Sequence, residues 1–212
     1  MDSFIDEEVL LKTKNELRRT LRKQRREQDA QAACLASEEI CRRVIAMKEF
    51  ASASTILAYM CAKGEVNVSM IIDEAIRKGK RVAFPLCIAD GGLRLLIPNS
   101  MKSFNKGAYG IQEPDVNDSV EIQPDDLDLI IVPAVAFTRD GRRLGQGGGY
   151  YDRLLSRTRA FTVGVGFDFQ LVNELPMESH DRLIDSIVLP GELIDRSYIL
   201  NSLLNNLEII AE

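Results

Sequence analysis

Hydrophobic positions fall into alternating helix-period and strand-like runs. Residues 6–28 are rich in Leu, Lys, Arg and Glu, all good helix formers, and Leu10, Leu17 and Leu21 supply a partial apolar stripe at helical spacing. A second helix is predicted over residues 30–48, where Ile40, Val44 and Met47 recur at i, i+4 and i+7 with Cys41 near them. These two helices are expected to pack as a hairpin against a sheet. Residues 55–60 read as a short buried strand, residues 68–78 as an amphipathic helix ended by Gly79, and residues 81–84 as a strand ended by Pro85. Residues 93–97 form a return or edge strand after the turn at Asp90-Gly-Gly92, and residues 98–123 are loop-rich. The apolar run at 127–133 predicts a strand buried on both faces. A loop over 138–149, a helix over 150–159, strands at 161–166 and 186–189, and a C-terminal helix over 192–207 complete the pattern.

Strand–helix–strand alternation is the signature of parallel βαβ units. The expected fold is α/β: a single domain over residues 1–212, with a mostly parallel twisted sheet flanked by helices in a Rossmann-like three-layer arrangement. An apolar share of 45% and a charged share of 28% are ordinary globular values, which argues against a disordered or fibrous chain. No apolar run approaches the roughly 20 residues needed to span a bilayer. The acidic start lacks a basic region followed by an apolar stretch, so no secretory signal is expected, and Cys34, Cys41, Cys61 and Cys87 read as reduced thiols of a cytoplasmic protein. A single histidine, His180, excludes multi-histidine zinc chemistry. The net charge of -5 argues against nucleic acid as the main partner, yet residues 12–26 are strongly basic and suit RNA or a small polyanion.

The candidate chemistry sits between residues 133 and 153. This segment leaves a buried strand at its carboxyl end, where open α/β sheets place their ligands. It carries Arg142 and Arg143, then Gly145, Gly147, Gly148 and Gly149 before a helix. Glycines permit positive φ and close backbone approach, so several N–H groups can converge on one anion. The helix dipole and the forked arginine donors add to that, and the physical reading is a triphosphate cradle. It is not a Walker loop, because no Gly-Lys-Ser/Thr follows. On glycine content alone, a surface turn beside a basic pair fits equally well.

Gly141-x-Arg143-Leu-Gly-x-Gly-Gly-Gly-Tyr-Tyr-Asp-Arg153 closely resembles the nucleotide loop of the 5-formyltetrahydrofolate cyclo-ligase family. Lys14-Asn-Glu-Leu-Arg18, Gly64-Glu65-Val66, Gly79-Lys-Arg-Val-Ala-Phe-Pro85, Tyr109-Gly-Ile-Gln-Glu-Pro114 and His180-Asp181 with Asp185 are similar to further family landmarks, in the expected order. The resemblance implies ATP-dependent closure of 5-formyltetrahydrofolate to the 5,10-methenyl form, with ATP as co-substrate and Mg²⁺ as cofactor. It implies ATP contacts from Lys14, Arg18, Arg143, Leu144, Gly145, Gln146, Gly147, Gly148, Gly149, Tyr150 and Tyr151, with Arg143 and Lys14 in the catalytic role. Glu65, Tyr109, Gln146, Gly147, Gly148, Gly149 and Tyr150 would meet the folate, and Asp152 and Asp185 the metal. Expected partners are small molecules only, with no nucleic acid or membrane, and the chain is expected to be a monomer, with a dimer as the alternative. Two rivals stand beside this reading: a folate-independent paralogue using the same loop, and an RNA-binding module built on the basic N-terminal helix.

Overall fold

The computed structural model describes residues 3–88, 91–107, 110–175 and 182–196, with side chains from residue 13 onward. Tyr109, His180, Asp181 and the predicted helix beyond residue 196 lie outside the described residues. Helix α1 (Ser3–Glu27) leads to α2 (Ala30–Ala46), whose first turn is capped by Asp29 accepting from the Ala32 N–H at 2.8 Å. A short α3 (Lys48–Ser52) precedes β1 (Thr55–Leu57), α4 (Ser69–Arg77) and β2 (Arg81–Cys87). Gly79, at φ +73, ends the turn after α4. Then come β3 (Leu93–Pro98), a hairpin of β4 (Phe104–Lys106) and β5 (Gln112–Pro114), β6 (Ser119–Ile122) and β7 (Leu129–Pro133). A second hairpin, β8 (Ala136–Phe137) with β9 (Arg143–Leu144), is followed by α5 (Tyr150–Leu155), β10 (Phe161–Val165), β11 (Ser186–Val188) and β12 (Leu193–Asp195).

Among the described residues the main sheet has eight strands, in the order β12-β11-β10-β7-β1-β2-β3-β6. The central run from β11 to β2 is parallel; β12, β3 and β6 join antiparallel. Strand alternation sorts the core into two layers. Ile56, Val82, Leu129, Ile131 and Val163 face Ile40 and Val44 of α2, Phe50 of α3 and Ile71 of α4. Leu57, Ala83, Ile130, Val132 and Ile187 face Leu154 and Leu155 of α5 together with Phe137. Helices therefore flank both faces of a mostly parallel sheet, the expected three layers. Among the described residues no helix is long and apolar enough to cross a membrane.

Several expectations need correction. Leu17 and Leu21 of α1 do not join the α2 layer. They pack with Val135, Ala136, Leu144 and Leu175 at the glycine-rich loop, so α1 is a strap over the site rather than half of a hairpin on the sheet. Strand β2 runs through Pro85, because beyond Ala83 it pairs with β3 and no longer with β1, and a proline is tolerated where one flank is open. Helix α5 stops at Leu155; the Thr158 hydroxyl then donates to Pro124 O at 2.8 Å and accepts from the Ala160 N–H at 3.1 Å, which ties the exit to β10. Leu193–Asp195, predicted helical, is a strand whose register Val188↔Leu193 to Ser186↔Asp195 completes one sheet edge. The stretch 98–123, expected to be loop-rich, holds the short strands β4, β5 and β6 between its loops.

Candidate functional site

The parallel strands β1, β2 and β7 end together at a cavity of ≈ 550 Å³. Its floor is Tyr59, Phe84, Pro85, Pro133 and Ala134, the residues at or just past those strand ends. Its wall is the glycine loop with Arg143, Tyr150, Tyr151 and Asp152, and Glu65 also faces it. A second cavity of ≈ 590 Å³, bounded by Glu49, Asp125, Asp128 and Arg159, lies at the opposite ends of the strands beside Phe161 and Ala160. It is slightly larger, but the end of an open α/β sheet that binds ligands is the carboxyl end.

The hairpin β8–β9 delivers the loop to this place. It folds back over β10, where Gly164 leaves room for the Phe137 ring; a Cβ at Gly164 would lie 2.5 Å from that ring. Leu144 is then anchored in the core, and the chain turns out through Gly145. Gly147 at φ +105 and Gly149 at φ +67 adopt conformations that residues with a Cβ rarely take, so these two glycines make the bend. The loop's carbonyls are tied back. Gly145 O accepts from Arg18 Nε at 2.9 Å, Gln146 O from Arg22 Nη2 at 2.9 Å, Gly148 O from Arg153 Nη2 at 2.6 Å, and Gly149 O from the Arg153 N–H at 3.1 Å. Among the described residues, the N–H groups from Gly145 to Gly149 donate to no protein acceptor. Carbonyls held and amides open is the polarity of an anion nest. Because α5 has six residues, its dipole adds little, and the positive potential comes from amides and arginines.

Arg143 is the cation that the glycine loop's own hairpin brings to the wall. Its side chain is 4% exposed, its Nη2 donates to Asp152 Oδ1, and its Cζ sits 5.8 Å from the centre of the Tyr151 ring. Its Nε is buried without a hydrogen-bond partner, as is the Tyr151 hydroxyl. Burial pushes the Tyr151 phenol above its ordinary pKa, opposed in part by the Arg143 charge, so it stays a neutral O–H donor. Burial likewise raises the Cys87 thiol in the same cavity, with Glu113 adding to the shift, which makes it a poor nucleophile near pH 7.

A sequence model of the 5-formyltetrahydrofolate cyclo-ligase family matches residues 11–190. The chain belongs to that family. Its cavity, the glycine loop and residues 11–27 of the strap fall inside the matched span. The chain is 33% identical over 175 residues to a probable 5-formyltetrahydrofolate cyclo-ligase of Schizosaccharomyces pombe, across 74% of this chain and 85% of the relative. It is 31% identical over 163 residues to the 5-formyltetrahydrofolate cyclo-ligase of Escherichia coli K12, across 74% and 88% of the two chains. The NMR structure of Aquifex aeolicus 5,10-methenyltetrahydrofolate synthetase superposes with a TM-score of 0.77 at 32% identity, covering 86% of this chain and 92% of that one.

Against the cyclo-ligase motifs, the structure brings Glu65, Arg143, Gly145, Gln146, Gly148, Gly149, Tyr150, Tyr151 and Asp152 to one cavity. Arg18 and Gly147 lie just behind the wall, with the Arg18 guanidinium 3.7 Å from where a Gly147 Cβ would sit. Three expectations change. The Leu144 side chain is core, and its carbonyl accepts from the Val135 N–H at 2.8 Å. Lys14, one helical turn before Arg18, is buried and is not part of the cavity wall. Asp185 stands at the start of β10, away from Asp152. Its Oδ2 accepts from the Thr162 N–H at 2.9 Å and the Thr162 hydroxyl at 2.7 Å, so it fastens β11 to β10. Arg142, weighed beside Arg143, donates to Leu175 O at 2.8 Å and pairs with Asp140.

No group of three or more His, Cys, Asp or Glu among the described residues is arranged to hold a metal. Mg²⁺ binds through one or two carboxylates together with phosphate oxygens and water, so its site does not require such a group. Asp152, with Oδ1 on Arg143 and the carboxylate 28% exposed, is an acidic side chain beside the loop arginine able to offer an oxygen. Three of the basic residues of α1 are engaged by the site itself. Arg18 and Arg22 are bonded to the loop, and Arg25 donates to Glu65 Oε1 at 3.0 Å. The roles of Arg22 and Arg25 were not foreseen, although positions 18, 22 and 25 share a helix face by spacing alone.

Proposed function

We propose that the chain closes 5-formyltetrahydrofolate to 5,10-methenyltetrahydrofolate at this cavity, using ATP and releasing ADP and phosphate. The observation that carries the reading is one cavity lined both by unpaired loop amides with Arg143 and by Glu65. The amides and Arg143 receive the terminal phosphates, while Glu65 accepts N–H donors from the pterin. The formyl oxygen attacks the γ-phosphorus, the bond to the bridging oxygen breaks, and ADP leaves with an iminium phosphate behind it. Nitrogen-10 then adds to the formyl carbon and loses its proton. Expulsion of phosphate carries the original formyl oxygen away and leaves the methenyl bridge.

This sequence needs no protein nucleophile. It needs alignment of the oxygen with phosphorus and cations beside the transferring group. Arg143, fixed between Asp152 and the Tyr151 ring, is preorganised for that purpose. Mg²⁺, when bound beside Asp152, supplies further charge neutralisation on the phosphates. Gly148, Gly149 and Tyr150 bound the space between the two ligands, and the Tyr150 ring, with the Arg153 guanidinium 5.4 Å from its centre, offers a held aromatic face to a flat ring. The four free cysteines suit a reducing cytoplasm.

An isotope experiment tests the order of steps. Substrate carrying heavy oxygen in the formyl group should deliver its label to inorganic phosphate, one atom per methenyl formed. Label appearing in water instead, with unlabelled phosphate, contradicts attack by the formyl oxygen on ATP.

A further inference from the structure

Glu65 reaches the cavity from a tight turn over residues 62–65 that is seated at three points on α1 and the residue just after it. Gln28 Nε2 donates to Gly64 O at 2.9 Å. Gly64, at φ +81, lies so close to the helix that a Cβ would meet both the Cγ and the carbonyl oxygen of Arg25 at 3.0 Å. Arg25 Nη1 then donates to Glu65 Oε1 at 3.0 Å, the two side chains being 14% and 15% exposed. The turn also closes on itself. Ala62 N–H donates to Glu65 Oε2 at 3.1 Å, and Glu65 N–H donates to Ala62 O at 3.0 Å. Each carboxylate oxygen therefore has one fixed donor and keeps lone-pair capacity for another. Both Arg25 and Glu65 line the cavity.

We propose that Arg25 is a positioning residue for the folate: it holds Glu65 in one rotamer on the cavity wall, ready for paired N–H donors of the pterin edge, and so sets folate affinity without acting on phosphoryl transfer. The proposal rests on the cyclo-ligase reading above. A glutamate free to rotate must be ordered by its ligand, and that ordering subtracts from affinity; one fixed beforehand avoids the loss. The planar guanidinium suits the task, because it grips one oxygen of the carboxylate from the side and need not leave when a ligand arrives. Arg22, one turn earlier on the same helix, grips Gln146 through Nε to Oε1 at 3.0 Å. One face of α1 thus reaches both the nucleotide loop and the folate-binding glutamate, and Arg25 serves the second.

Steady-state kinetics of Arg25→Met and Arg25→Lys, with both substrates varied, test this. Arg25→Met should raise the KM for 5-formyltetrahydrofolate about 10- to 100-fold, the scale of a hydrogen bond involving charged groups. Its kcat and its KM for ATP should change by less than about threefold. Arg25→Lys keeps the charge but not the fork and should recover part of the loss. It also carries the test alone if circular dichroism shows that the methionine variant is unfolded. In a Glu65→Gln background, Arg25→Met should add less than about threefold, because the charge it positions is gone. An unchanged folate KM, an equal rise in the KM for ATP, or the full effect persisting over Glu65→Gln each overturns the positioning role. Those outcomes beside an active wild type leave the cyclo-ligase reading standing. A wild type that forms no methenyl product sinks that reading, and this role with it.

Discussion

Replacing Arg143 by alanine is expected to lower kcat for methenyl formation about 100- to 1000-fold, the range seen when a preorganised charge-stabilising donor is removed. The guanidinium is buried on the cavity wall, bonded to Asp152 and laid over Tyr151, so it does not need to reorganise as charge moves onto the transferring phosphate. Removal also leaves Asp152 without its partner. Since that carboxylate reaches water, the cost to stability should stay near the low end of about 1–3 kcal/mol. Arg143→Lys should fall between wild type and alanine, because an ammonium restores charge but not two-point contact. Single-turnover rates at saturating ATP and folate, read beside thermal melting, separate the two effects. A folded alanine variant with near-normal turnover would remove Arg143 from the mechanism.

The largest structural effect is expected far from any ligand, at Gly164. This position lies in β10, between β7 and β11, and faces Phe137 of the hairpin that delivers the loop. A valine there would place its Cβ 2.5 Å from the Phe137 ring, which is fully buried and has nowhere to retreat. Overpacking of this kind costs about 1–3 kcal/mol, sometimes more. Because Arg143 belongs to the hairpin and Gly145 continues directly from it, nucleotide affinity should weaken together with the denaturation midpoint. Trimming the ring in a Gly164→Ala, Phe137→Leu double variant should recover part of the stability lost by Gly164→Ala alone. If Gly164→Val has wild-type stability, the hairpin does not pack on β10 as described.

What could be read in advance follows from how strongly each segment repeats its own period. The five residues of β7 are apolar on both faces and could only be a central strand, and α4 carries a clean helical stripe closed by Gly79. The glycine loop was legible because positive φ at Gly147 and Gly149 demands a residue type. By contrast β8 and β9 have two residues each, too few to show alternation, and β4 is mostly exposed and polar. Strand β12 was misread because Leu193 and Ile194 sit in a stretch whose helix formers continue past it, and only pairing with β11 decides the matter. Asp185 illustrates a different limit. A motif gives order along the chain but not which end of the sheet a residue occupies, and the hydrogen bonds to Thr162 place this one at the start of β10. Arg22 and Arg25 were visible as a helix face, yet nothing local says that the face meets Gln146 and Glu65.

The central claim is that the open amides of the glycine bend, with Arg143, receive the terminal phosphates of ATP. Backbone amide resonances of isotope-labelled protein, titrated with Mg²⁺ and an ATP analogue whose γ-phosphate cannot transfer, test it most directly. Large shifts and slowed solvent exchange are expected at Gly145, Gln146, Gly147, Gly148 and Gly149, with Thr162 and Asp185 unmoved. A saturating analogue that leaves those glycine amides unperturbed, or acts at the opposite cavity beside Asp128 and Arg159, would contradict the account.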